Sequence, residues 1–208
     1  MSEQSCLLIL SGYNNKSIAR VDQCWLSPVA MAMITDLSQH ASRPIYAYYV
    51  FPQPGELLYH AFSVILLQLL QQKSHVLRNK AQCDELRAEL YELQKYEQRG
   101  KNPTETEDDR LSAFHKVILR VTSFFDESET VHIILDRADR CCDWKKRVDH
   151  RKALLKALVK MVEAARCKLR VLVVINGYNW EVEKRQDELG EKIKGRVIVH
   201  TAVQGNSA

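Results

Sequence analysis

The sequence predicts an α/β fold built on a parallel sheet, and three features carry that expectation. Short segments rich in β-branched or aromatic residues occur five times, each is apolar on both faces, and stretches of helical periodicity separate them. The segments are Cys6–Leu10, Pro44–Val50, Thr130–Leu135, Leu169–Ile175 and Arg196–His200. Alternation of strand and helix is the pattern of right-handed crossovers, which cover a parallel sheet on both sides.

Taken in order, the first strand, CLLIL, is expected to end at a Ser-Gly turn. The first helix starts near Trp25 and runs to about Gln39, with Pro28 in its opening turn, where the amides have no intrahelical partner. A long helical excursion, residues 56–125, lies between the second and third strands. It divides into Glu56–Lys73, apolar nearly all round, then Val76–Gln98, then Asp108–Phe125. In the middle helix Cys83, Leu86, Leu90 and Leu93 form a narrow seam, so most of its surface is expected to be solvated or to meet a partner. GKNPTETEDDR, Gly100 to Arg110, reads as a surface loop. From Val148 to Cys167, Leu154, Leu155, Leu158, Met161, Val162 and Ala165 mark one helical face that should pack on the sheet.

The 208 residues, 46% hydrophobic and 27% charged, suit one globular domain spanning 1–208. Thirty basic against 26 acidic residues leave a formal charge of +4, too little to demand a nucleic-acid partner. Six cysteines without CxxC spacing, and no secretory leader ahead of them, read as reduced thiols in a cytoplasmic protein. The apolar run LLYHAFSVILLQLL is about fourteen residues and contains His60 and Gln68, short of the roughly twenty that span a bilayer. No membrane segment is expected.

One segment could carry chemistry. VHIILDRADRC places Asp136 at the carboxyl end of a buried strand, the layout of a Walker B motif, where a rigid carboxylate can hold Mg²⁺ on a nucleotide. Many doubly wound folds end a strand with Asp for capping alone. A working site also needs GxxxxGK[ST] after the first strand, so that backbone amides cradle phosphates and a lysine neutralises them. That place reads SGYNNKSIARVDQCWLS. Gly12, Lys16 and Ser17 are present, but the loop is two residues short and Asn15 replaces the glycine before the lysine. If the helix begins at QCWLSP instead, Gln23 and Cys24 take the lysine and serine/threonine places and the loop is too long. The alternative is a Gly-Asn turn that merely joins strand to helix.

The blocks CWLSPVAMAMITDL, PIYAYYVF, LLYHAFSVILLQLLQQ, VHIILDRADRC and LRVLVVINGY, in that order, resemble the NACHT-like STAND NTPase domains abundant in fungal proteins. The resemblance covers about 170 residues and rests on patterned blocks more than on invariant positions. It implies a three-layer P-loop NTPase-like fold with five parallel strands ordered 5-1-4-3-2. It also implies that Asp136 is the magnesium-binding acid, that Asp139 is the first of an acidic pair and a candidate catalytic residue, and that Asn176 is the polar residue of the sensor strand. Arg140 stands where the family has glutamate, and an arginine cannot polarise an attacking water. The family's helical lid and winged-helix segments are not recognisable.

WKKRVDHRKALLK adds a basic run, Lys145, Lys146, Arg147, Arg151 and Lys152, at the entry to a helix, where an anion or acidic partner would relieve cations that oppose the helix dipole. Cys141 and Cys142 beside Asp143 and His150 read as loop thiols, because vicinal cysteines reach one tetrahedral ion poorly. Together these features predict a pseudo-NTPase that binds nucleotide weakly or not at all and works as a scaffold for a protein partner or for its own copies. The alternatives are a true nucleotide switch or slow ATPase carrying Mg-ATP or Mg-GTP, and a helical interaction domain with a basic patch.

Overall fold

The computed structural model describes residues 4–13, 24–55, 58–98, 107–142, 150–182 and 196–203. Five strands, β1 (Cys6–Tyr13), β2 (Ile45–Val50), β3 (Thr130–Asp136), β4 (Lys168–Asn176) and β5 (Val197–Val203), pair in parallel in the order β2-β3-β4-β1-β5. From the other edge this is 5-1-4-3-2. All five expected strands are present, each within a few residues of its anticipated bounds.

Alternation of side chains along each strand divides the core in two. Leu7, Ile9, Ile133, Leu135, Val171 and Val173 face α2 (Leu58–Gln72), α4 (Glu107–Thr122) and α5 (Arg151–Ala164), around Phe62 and Phe114. Ile134, Leu172 and Val174 face the opposite way, onto Leu26 and onto Ala30 and Leu37 of α1 (Ser27–Gln39). Helices therefore cover both faces. The expected buried stripe of α5 is present, with Leu154, Leu155, Leu158, Met161 and Val162 all inside.

Two local expectations are corrected. β1 does not stop at Ser11: Ser11 and Gly12 continue the ladder opposite Ile175 and Asn176 of β4 and opposite Thr201 and Ala202 of β5. With a strand on each side to take its amides and carbonyls, the Ser-Gly pair has no reason to turn. Gly12 serves close approach, since a Cβ there would lie 3.0 Å from Leu26 Cδ1 and 3.2 Å from Trp25 Nε1.

The helix expected over Val76–Gln98 is likewise interrupted. Ser74–Arg78 forms a 3-10 turn, Asn79 is extended, and α3 (Lys80–Gln98) starts afresh. Asn79 Oδ1 accepts from Gln82 N at 3.4 Å, so an asparagine with an N-capping side chain separates the two. Of the seam, Leu86 is buried, whereas Leu90 is 45% exposed. α3 is tied to α4 instead through Arg120, which donates to Glu85 Oε2 at 2.8 Å and to Glu89 Oε1 at 2.9 Å.

The β2 edge of the sheet is closed by side chains. Gln72 Oε1 accepts from Tyr46 N at 3.1 Å while its Nε2 donates to Tyr46 O at 2.6 Å. Gln68 repeats the pattern on Tyr48, at 2.9 and 3.0 Å. The match is geometric: four helical residues rise about 6 Å and two strand residues about 6.6 Å. Each glutamine amide thus stands in for one peptide group of a neighbouring strand. All six cysteines are free, and among the described residues no helix is long and apolar enough to cross a membrane.

His115 on α4 is buried against α5, with Lys160 Nζ 3.4 Å from its Nδ1. Burial first, and the Lys160 charge second, lower its pKa to about 4. Because the folded pKa lies below the ordinary value, the unfolded chain takes the proton first as pH falls, and stability is lost between about pH 6.5 and 4. Replacing His115→Gln should flatten that part of a thermal-melt profile against pH while leaving the melting profile above pH 7 similar in shape.

Candidate functional site

Parallel pairing brings all strand ends to one side, and in such sheets the crevice outside the carboxyl ends is where ligands bind. α1 leaves β1 over one face while α5 leaves β3 over the other. The tips of β1, β4 and β3 are neighbours in that order.

Asp136 ends β3 and is 3% exposed. Its Oδ1 accepts from Ser27 Oγ at 2.9 Å, across 109 residues of sequence. Burial raises its carboxyl pKa above the ordinary range, with the Ser27 hydrogen bond and the Arg137 charge acting against that rise. Arg137, next in the chain, has φ 59° and ψ 38°, a left-handed conformation costing a residue with a Cβ roughly 1–2 kcal/mol. This conformation turns the guanidinium back onto Asp139, donating from Nε to Oδ1 at 3.1 Å and from Nη2 to Oδ2 at 3.0 Å.

Asp139 is a junction. Besides Arg137 it accepts from Asn176 N at 3.0 Å and from Asn179 Nδ2 at 2.9 Å, and its side chain has no exposure. Four donors occupy the two oxygens, a positioning arrangement that locks the β3 exit to the β4 exit and leaves little of the carboxylate to act on water. Asn176 is fully buried, and its Oδ1 accepts from Tyr178 N at 3.0 Å. Arg140 is directed to the exit of β2, donating to Phe51 O at 3.1 Å and to Pro52 O. At that position the arginine braces the loop after β2.

The segment entering α1 defines the other wall. Leu26, directly before Ser27, is 6% exposed and belongs to the core beneath α1. Cys24 donates from Sγ to Ile175 O at 3.4 Å, and burial pushes its thiol pKa up. Trp25 Nε1 and Ser11 Oγ are buried without hydrogen-bond partners. Gly12 is a strand residue here, and Gly177 donates its amide to Gly12 O at 2.9 Å. Asn15, Lys16, Ser17 and Gln23 lie outside the described residues, as do Lys145, Lys146 and Arg147. Of the basic run, Arg151 donates to Asn179 O and Lys152 is exposed.

The structure thus gathers Asp136, Asp139, Asn176, Gly12 and Cys24 around neighbouring strand tips, with Arg140 on the loop after β2. Sequence reasoning missed Ser27, Arg137 and Asn179. The Ser-Pro dipeptide at a helix start was the available signal for Ser27, because proline fits the first turn and places the preceding serine at the helix mouth. Among the described residues no group of three or more His, Cys, Asp or Glu side chains is arranged to hold a metal. No protein-family model matches this chain, and no curated protein matches it.

A buried carboxylate with a raised pKa opposes folding once ionised: the folded state holds its proton to higher pH than the unfolded one, so stability falls as pH rises through that window. Asp136→Asn, which retains an acceptor for Ser27, should therefore raise the melting temperature at neutral pH, with the gain shrinking as the pH is lowered toward roughly 4 and absent below it. Asp139→Ala should do the opposite. It strands the buried Arg137 guanidinium and should cost about 3–5 kcal/mol in a denaturant titration.

Proposed function

We propose that this chain is a degenerate P-loop NTPase-like domain that works as a scaffold or regulatory interaction module. The observation that carries the reading is the Ser27–Asp136 hydrogen bond, 2.9 Å, with a leucine directly before the serine. In P-loop NTPases a loop serine or threonine and the strand-end aspartate together hold Mg²⁺, and the lysine before that residue cradles the β- and γ-phosphates. Ser27 and Asp136 would supply the two hard oxygen ligands. Leu26 takes the lysine's place and is buried in the core, with no charge to offer a phosphate. The described residues suit the cation and not the triphosphate that would accompany it.

Two further features favour loss of turnover. Asp139 has its oxygens occupied by four protein donors, and Arg140, where a catalytic carboxylate is expected, braces a loop. Tyr91 and Leu90 on α3, 59% and 45% exposed, give a scaffold apolar surface to present.

A second reading is a slow nucleotide switch in which Lys16 and Ser17 take the phosphates. The Ser27–Asp136 pair favours it, because a serine hydroxyl beside a strand-end carboxylate supplies the oxygens that would meet the Mg²⁺ of a bound nucleotide. Titration calorimetry with Mg-ATP and with Mg-GTP separates the two. The scaffold reading expects no saturable heat below about 1 mM nucleotide and no phosphate release. Tight binding with steady turnover, abolished by Lys16→Ala or Asp136→Ala, would establish the switch and remove the scaffold reading.

A further inference from the structure

The edge of β2 borders a groove of about 680 Å³ between the α1 layer and the α2 layer. Leu37, Ile45, Tyr46 and Tyr48 give it an apolar lining, and Gln68 and Gln72 close its α2 side. Tyr46 and Tyr48 lie parallel along the strand, ring centroids 6.4 Å apart at 14°. Arg43 is the one charged residue of the lining. It is exposed, makes no ion pair among the described residues, and has φ 48° directly before Pro44. A residue with a Cβ is strained in that conformation, and a following proline narrows its choices further.

The hydrogen bonds on this edge are of an unusual kind. An outer strand commonly leaves its outward amides and carbonyls to water. Here four of them, the N–H and C=O of Tyr46 and of Tyr48, are paired with primary amides of two glutamines one helical turn apart. A glutamine amide has the donor and acceptor of a peptide group but swings on a flexible stem, so a strand can displace it like for like.

We propose that this groove is a strand-addition site for an extended acidic peptide, with Gln68 and Gln72 as placeholders that swing away when the peptide pairs with β2. The four-atom edge fixes the ligand's conformation, because only an extended chain presents peptide groups at the Tyr46 and Tyr48 spacing. Alternate apolar side chains of the peptide lie on the tyrosine rings and Leu37. Arg43 supplies the charge preference for a carboxylate. The site uses the outer edge of β2, whereas Asp136 ends the neighbouring β3, and it does not rest on the nucleotide reading.

The probe is a fluorescein-labelled peptide of alternating valine and aspartate, followed by anisotropy. Gln68→Ala with Gln72→Ala removes the competing amides and should tighten binding by about tenfold, while Arg43→Glu should weaken it by a similar factor. A valine-lysine peptide, or the acidic peptide with N-methylated backbone, should fail to bind. In the unsubstituted protein the peptide should keep the Tyr46 and Tyr48 amides slow to exchange with deuterium when Arg43 is present and not in Arg43→Glu, a readout that stands even if the double variant does not fold. The proposal is overturned if the folded double variant binds no tighter than the parent, if N-methylation is without effect, or if exchange at Tyr46 and Tyr48 ignores the peptide. It is equally overturned if the double variant dimerises through this edge and excludes the peptide, which would make a second copy the occupant.

Discussion

A carboxylate excluded from water at the tip of β3 is the constraint around which this end of the molecule is built. Asp136 gains one hydroxyl partner, Ser27, and pays in desolvation, which raises its pKa. Directly after it the chain takes a left-handed step at Arg137 so that a guanidinium can neutralise the next buried acid, Asp139. Asp139 in turn receives the Asn176 amide and the Asn179 side chain from the end of β4. Strain, burial and fixed hydrogen bonds coincide at one corner. Structures hold such a combination where the position of a group matters more than its stability.

That corner has two sides of different chemistry. On one side the Ser27 hydroxyl donates to the buried Asp136 carboxylate. The other side is core: Leu26 packs under α1, Trp25 approaches Gly12, and Gly12 is a residue of β1. A buried leucine stabilises the α1 layer, whereas a lysine at that place would have to stay solvated. The same logic applies to Arg140, whose contacts with the Phe51 and Pro52 carbonyls fasten the loop after β2.

Much of this architecture was legible in the sequence because it depends on local pattern. The doubly apolar runs gave β2, β3 and β4 nearly to the residue, and the stripe from Leu154 to Val162 gave the buried face of α5. What escaped depends on partners distant in sequence. Whether Ser11-Gly12 turns or continues is decided by β4 and β5 on either side, not by the dipeptide. Ser27 meets Asp136 only because α1 begins where it does above the sheet, and the loop spacing alone supported two other alignments. Asp139 and Asn176 were singled out through the family resemblance alone, and that they bind one another follows from β3 lying beside β4. Gln68 was visible only as a polar break in an apolar helix; its role appears once β2 is known to be an edge.

The central proposal is that the strand-tip corner pairs two oxygens suited to a cation, Ser27 and Asp136, with described residues that offer no charge to a phosphate. Backbone amide shifts of Leu26, Ser27 and Asp136 during a titration with Mg-ATP test it most directly. The expected result is no saturable movement at Leu26 and Ser27. Saturable shifts at both, vanishing when Mg²⁺ is chelated, would contradict it.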